Sequence, residues 1–141
     1  MTPQQIQIVQ STWAQVVPIG DTAASLFYGR LISVDPTLGP LFGTDMTRQY
    51  RRLMMMLGVA VTGLTRIETI APVLRDLGAR HVGYGVRDEH YAMGGEALLW
   101  TLEQGLGAAF TDEARDAWAA AYTLVAMTMQ EGARQALRAA A

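Results

Sequence analysis

Residues 74–91 read Leu-Arg-Asp-Leu-Gly-Ala-Arg-His-Val-Gly-Tyr-Gly-Val-Arg-Asp-Glu-His-Tyr. Leu74, Leu77 and His81 recur at i, i+3 and i+7, so the imidazole of His81 projects from the apolar face of a helix. Val82-Gly-Tyr-Gly-Val86 interrupts that helix, because two glycines in three residues favour a turn. Asp88 can then cap a further helix that carries Tyr91. A histidine facing inward is aimed either at a metal or at a hydrogen-bond partner. This stretch alone leaves both readings open.

Upstream of it, Thr2-Pro3-Gln4-Gln5 has the form of a capping box with proline at the first helical position. The helix it starts carries Ile6, Val9, Trp13, Val16 and Val17 on one face, and Pro18-Ile19-Gly20 breaks it. A second helix from Asp21 turns Ala24, Phe27, Tyr28, Leu31 and Ile32 inward. Asp35-Pro36 starts a short third element that Gly39-Pro40 should end. A long helix is expected from about Met46 to Leu64, with Gln49, Leu53, Met56, Leu57 and Ala60 as its stripe. Met54, Met55 and Met56 face three directions on it, so core packing is the better account of them than a sulfur ligand. Thr65 to Ala71 reads as a link, and Pro72 to His81 as a short helix. Downstream, Asp88 to about Leu106 carries Tyr91, Gly94, Leu98 and Leu102 at helical spacing. Thr111-Asp-Glu caps a last helix with Ala114, Trp118, Tyr122, Val125 and Met129 facing in, and an alanine-rich tail from about 135 that should fray.

The 141 residues suit one domain, 1–141, with a sizeable core. Hydrophobic residues make up 50 % and charged ones 17 %, which excludes disorder and favours a large interior or a large ligand. A net charge of −2 gives no broad basic surface, so no nucleic acid and no anionic membrane is expected as partner. All eleven basic residues are arginine, which removes lysine Schiff-base chemistry. The absence of cysteine excludes disulfides, thiolate catalysis and cysteine-ligated clusters. No signal peptide is evident, and the longest apolar run, Leu53 to Leu64, is too short to span a bilayer. A cytoplasmic location is therefore expected.

Four features stand in one register. Phe42 follows Pro36 by six residues, and His81 follows Phe42 by 39. Gln49 precedes His81 by 32. Leu77-Gly-x-x-His81-x-x-x-Gly-Val86 is joined by Gly95-Glu-x-Leu-Leu99, by Leu106-Gly-x-x-Phe110-Thr and by Ala117-Trp118. Together they resemble the globin family over almost the whole chain, in its single-domain bacterial, neuroglobin-like and flavohaemoglobin-like branch. The resemblance implies an all-α globin fold of about seven helices, with the D helix missing or minimal, packed around haem b (iron protoporphyrin IX). It implies His81 as the proximal iron ligand and Phe42 as the ring stacked on the haem. A neutral imidazole suits ferrous iron, and a single protein ligand leaves the sixth position open. His90, the only other histidine, is the rival and reads as a surface or cap residue.

On the distal side the resemblance places Tyr28, Gln49 and Leu53. It places Arg52 against a haem propionate, with Leu77, Val86, Tyr91 and Gly94 in the haem wall. Tyr28 offers an O–H and Gln49 an N–H to a dioxygen ligand of partly anionic character. Each such bond contributes about 1.5–3 kcal/mol, which slows release roughly ten- to a hundredfold. The implied function is reversible, high-affinity binding of dioxygen, and of CO and NO, at a five-coordinate iron, in a monomer or weak homodimer. The alternative is a nitric oxide dioxygenase using a separate reductase. Flavohaemoglobins pair the proximal histidine with a tyrosine and a glutamate; His81 and Tyr91 match, but the glutamate's place falls near Ala133, with Glu131 two residues off. A third possibility is a helical interaction domain that has lost its haem. Gly94 stands where relatives carry valine or isoleucine, so either another helix approaches closely there or an apolar cavity opens beside the ligand site.

Overall fold

The Thr2 side chain accepts the Gln5 backbone N–H, and the Gln5 side chain accepts that of Thr2, so the capping box forms as read. It starts α1 (Pro3–Val16), the first of six α-helices in a computed structural model that describes residues 1–141. A single 3₁₀ turn, Val17–Ile19, replaces the expected break, and it leaves Val17 exposed rather than on the buried face. α2 spans Gly20–Val34. The short third element is a 3₁₀ helix, Pro36–Phe42, capped by Asp35, whose carboxylate accepts from the Thr37 N–H at 3.0 Å. It runs through Gly39-Pro40 instead of ending there, and stops at Gly43, whose φ of 73° suits only glycine. Three residues then lead directly to α3 (Met46–Thr62), so no D helix intervenes.

The expected link after α3 is shorter than the sequence suggests. A 3₁₀ turn, Gly63–Arg66, leads straight into α4 (Ile67–Gly83), and Pro72 lies inside that helix. Pro72 is exposed, so the carbonyl one turn back that it leaves unbonded meets water. α5 spans Asp88–Leu106. Its cap is not the Asp88 side chain: the His90 Nδ1 accepts the Arg87 N–H at 2.9 Å, which makes His90 the capping residue. α6 spans Asp112–Ala140, so the alanine-rich tail expected to fray continues the helix. Read as one helix, Met46–Gly83 has the length and mean hydropathy of a membrane span, but the 3₁₀ turn divides it into two 17-residue helices with different packing partners.

The apolar side chains gather in three clusters. The largest joins Val9, Trp13 and Val16 of α1 to Leu98 and Leu102 of α5 and Trp118 of α6. A second joins Tyr28, Leu31, Leu38 and Ala97, with Phe42, Tyr50 and Leu53 against them. A third joins Leu74, Tyr91, Ala126 and Met129, with Leu77 and Val86 against them. α4 leans on α6, backbone against backbone at Gly78 and Gly132, and touches α3 scarcely at all. The second cluster thus gathers mainly on α2 and α3 and the third on α4, α5 and α6.

One buried polar pair fixes the ends of the chain to each other. The Trp118 indole N–H donates to the Thr12 hydroxyl at 2.8 Å, and that hydroxyl donates to the Ile8 carbonyl at 2.7 Å. Thr12→Val keeps the shape and removes the acceptor. It should lower stability by about 1–3 kcal/mol, read as a reduced urea midpoint at unchanged m value, because the indole N–H is left buried and unpaired.

Candidate functional site

His81 lies near the end of α4, half-buried, on the face that carries Leu74 and Leu77. Its Nδ1 sits 2.8 Å from the Leu77 carbonyl oxygen one turn back. A carbonyl only accepts, so Nδ1 carries the proton and Nε2 keeps a free lone pair. Burial pushes the imidazole pKa below its ordinary value, the Leu77 bond opposes that push, and the Arg80 charge adds to it. The product is a neutral, oriented imidazole with its second nitrogen unspent. That is the state a metal ligand needs.

α2 and α3 carry the second group of candidate residues. Tyr28 is buried among aromatic rings: Phe42 meets it edge-on at 4.8 Å between centroids, Phe27 at 5.3 Å, and Tyr50 stacks on it at 5.8 Å. Burial raises its pKa to about 12, with Tyr50 adding to the rise and Arg52 opposing it, so its hydroxyl keeps its proton at neutral pH. The partner that a half-buried glutamine requires is a backbone group: Gln49 Nε2 donates to the Phe42 carbonyl at 2.9 Å. Its amide has a second N–H to give. Leu53 packs one turn along α3, and Arg52 is exposed at the rim. Tyr50, next to Gln49, went unnoticed in the sequence because it lies off the stripe; only its position against Tyr28 shows that it belongs here.

Phe42, Tyr28, Gln49 and Leu53 thus share one side, and Leu77, His81 and Val86 the other. Tyr91 is buried, and its hydroxyl has no hydrogen-bond partner in the chain. No carboxylate serves it. Glu131 points to solvent and pairs with Arg75 at 3.9 Å, while Ala133 is buried in the glutamate's place. The methionines divide as their spacing requires: Met54 packs on Gly20, Met55 is 61 % exposed and Met56 is half-buried.

Of the two readings of Gly94, the close approach of another helix holds and the cavity does not. A methyl group there would stand 2.7 Å from the Tyr122 hydroxyl oxygen, and one at Gly95 would stand 2.9 Å from the Tyr122 ring. The adjacent glycines therefore admit the Tyr122 ring from α6, and its hydroxyl donates to the Tyr91 carbonyl. The space beside Gly94 is filled by that tyrosine, and the expected apolar cavity is not there.

Residues 25–129 match the globin family. The chain is a globin. Among its relatives, a flavohemoprotein of Bordetella parapertussis is 32% identical over 144 residues, covering 100% of this chain and 36% of that protein. The globin thus spans little more than a third of the length of such relatives. Neuroglobin of Danio rerio is 26% identical over 139 residues, covering 89% of this chain and 87% of that one. Among solved structures, a bacterial globin from Campylobacter jejuni superposes with a TM-score of 0.85 at 23% identity, over 95% of this chain and 97% of that one. An engineered carbene transferase from Rhodothermus marinus gives 0.89 at 20% identity, over 99% and 97%. Those two likenesses establish the fold.

Two outcomes follow from the site's geometry. The folded globin keeps His81 neutral to lower pH than the unfolded chain does. As pH falls through the ordinary histidine range, about 6.5, the unfolded chain takes the proton first. The contribution of His81 is thus full above that range and lost below it. In the haem-free globin, wild type should lose more stability than His81→Gln as pH falls from about 7 to 5, measured by urea midpoints. Gly94→Val should destabilise the fold by about 1–3 kcal/mol through overpacking, and Tyr122→Phe, which removes the obstructing oxygen, should recover part of that loss in the double variant.

Proposed function

We propose that this globin is a haem protein that binds dioxygen reversibly, holds it tightly and releases it slowly. The observation that carries this reading is the His81 imidazole, oriented through Nδ1 by Leu77, kept neutral by burial and left with Nε2 free. The residues around it suit the group. Phe42, Leu53, Leu77 and Val86 are apolar and only partly buried within the chain, and the Tyr91 hydroxyl lies buried without a partner. Haem, when bound, supplies an iron that takes diatomic gases reversibly. On this reading His81 is the protein's iron ligand. Phe42, Leu53, Leu77 and Val86 exclude water, and Arg52 pairs with a propionate at the rim. Tyr28 and the second N–H of Gln49 donate to the gas ligand. His90 is already committed to capping α5, which removes it as a rival.

A second reading, nitric oxide dioxygenase activity, draws on the flavohemoprotein relatives and on the Rhodothermus marinus neighbour, itself described as a proposed nitric oxide dioxygenase. It requires electrons from a separate reductase. It also lacks support at Tyr91, whose hydroxyl no carboxylate hydrogen-bonds; Asp88 acts on it only through its charge.

Replacing His81 with alanine should abolish stable haem binding, while His90→Ala should leave it intact. Tyr28→Phe and Gln49→Leu should each raise the dioxygen dissociation rate roughly ten- to a hundredfold, the equivalent of one hydrogen bond to a charged acceptor. Carbon monoxide is a poor acceptor, so its dissociation should change far less. Equal effects on both gases would reject hydrogen bonding as the cause. Catalytic NO consumption by the haem-loaded globin with a supplied flavin reductase would favour the second reading.

A further inference from the structure

Among the glycines inside α-helices, only two meet main chain. A methyl group on Gly78 would stand 1.8 Å from the Met129 carbonyl oxygen, and one on Gly132 would stand 1.9 Å from the Arg75 carbonyl oxygen. No rotamer change can clear a backbone oxygen. The two contacts are reciprocal: Arg75 and Gly78 are three residues apart on α4, as are Met129 and Gly132 on α6. The crossing is therefore pinned at two points, at a separation that only glycine permits. Helix propensity opposes this choice, since glycine is the weakest helix former after proline. Gly29 in α2 shows the contrast, with nothing within 4 Å of its missing side chain.

What α4 carries at that level is the imidazole. Leu77, whose carbonyl holds the His81 Nδ1, directly precedes Gly78, and His81 follows within one turn. The carbonyl and the ring are fixed to the same turns of helix. A change in the depth of α4 against α6 therefore shifts both together, without breaking the bond between them.

We propose that Gly78 and Gly132 are positioning residues for His81: their missing side chains set the α4–α6 separation, and that separation sets where the imidazole stands. The proposal rests on the haem reading above. Gly132 is the sharper probe, being on another helix and 51 residues from His81 in sequence.

The experiment compares wild type, Gly132→Ala, Gly78→Ala and Gly29→Ala as haem-loaded ferrous proteins, with helicity by circular dichroism as the folding control. Both crossing variants should shift the iron–histidine stretching band in resonance Raman spectra. They should also lose haem roughly tenfold faster to an acceptor protein, the scale that moderate overpacking implies. Gly29→Ala should leave the band and the haem-loss rate unchanged. Should Gly132→Ala fold too weakly to load, it is remade in the Gly29→Ala background with a stabilising osmolyte, and the same band is read. A folded Gly132→Ala protein with the wild-type band and haem retention overturns the positioning role. If instead His81→Ala keeps haem with an unaltered band, the haem reading itself is overturned, so the two failures are distinct.

Discussion

Everything on the proximal side hangs from the place where α4 meets α6 backbone to backbone. Carbonyl oxygens of Arg75 and Met129 occupy the positions that side chains of Gly132 and Gly78 would fill. Close approach lets α4 lean on α6 and stand clear of α3. α4 is thus placed by its contact with α6 rather than by α3, and the Leu77–His81 hydrogen bond then fixes the ring on the helix so placed.

The core is divided into one large cluster built on Trp13 and Trp118 and two small ones around Tyr28 and Leu74, each edged by half-buried side chains. The polar atoms that matter lie beside the two small clusters. Burial keeps the Tyr28 hydroxyl protonated and the His81 imidazole neutral: the pKa shifts are opposite, and the single cause is the cost of burying a charge.

Local chemistry was legible in the sequence, and so were elements whose signals lie within a few residues. The caps at Thr2, Asp35 and Thr111, the inward face of His81 and the three directions of the methionines all appear as read. The resemblance to globins gave the fold, and the family match agrees with it. What escaped depends on neighbours distant in sequence. Pro72 looked like a helix start, yet α4 begins five residues earlier because exposure on that face tolerates a missing bond. Gly94 left two readings open because Tyr122, which decides between them, is 28 residues away. The partner of Gln49 could not be guessed, since the sequence does not say that the Phe42 carbonyl folds back over the start of α3. Asp88 looked like a cap because its type is right, but the His90 ring reached the N–H first.

The pairing of Thr12 with Trp118 joins residues 106 positions apart, and Val9 and Trp13 bury themselves against the same last helix. During synthesis α1 emerges first and can begin to bury its apolar face against Val61, Leu64, Leu98 and Leu102, but the Trp118 indole that completes the Thr12 pair comes only with α6. A domain of mostly local helical contacts is thus locked by a non-local pair that forms only once α6 is available.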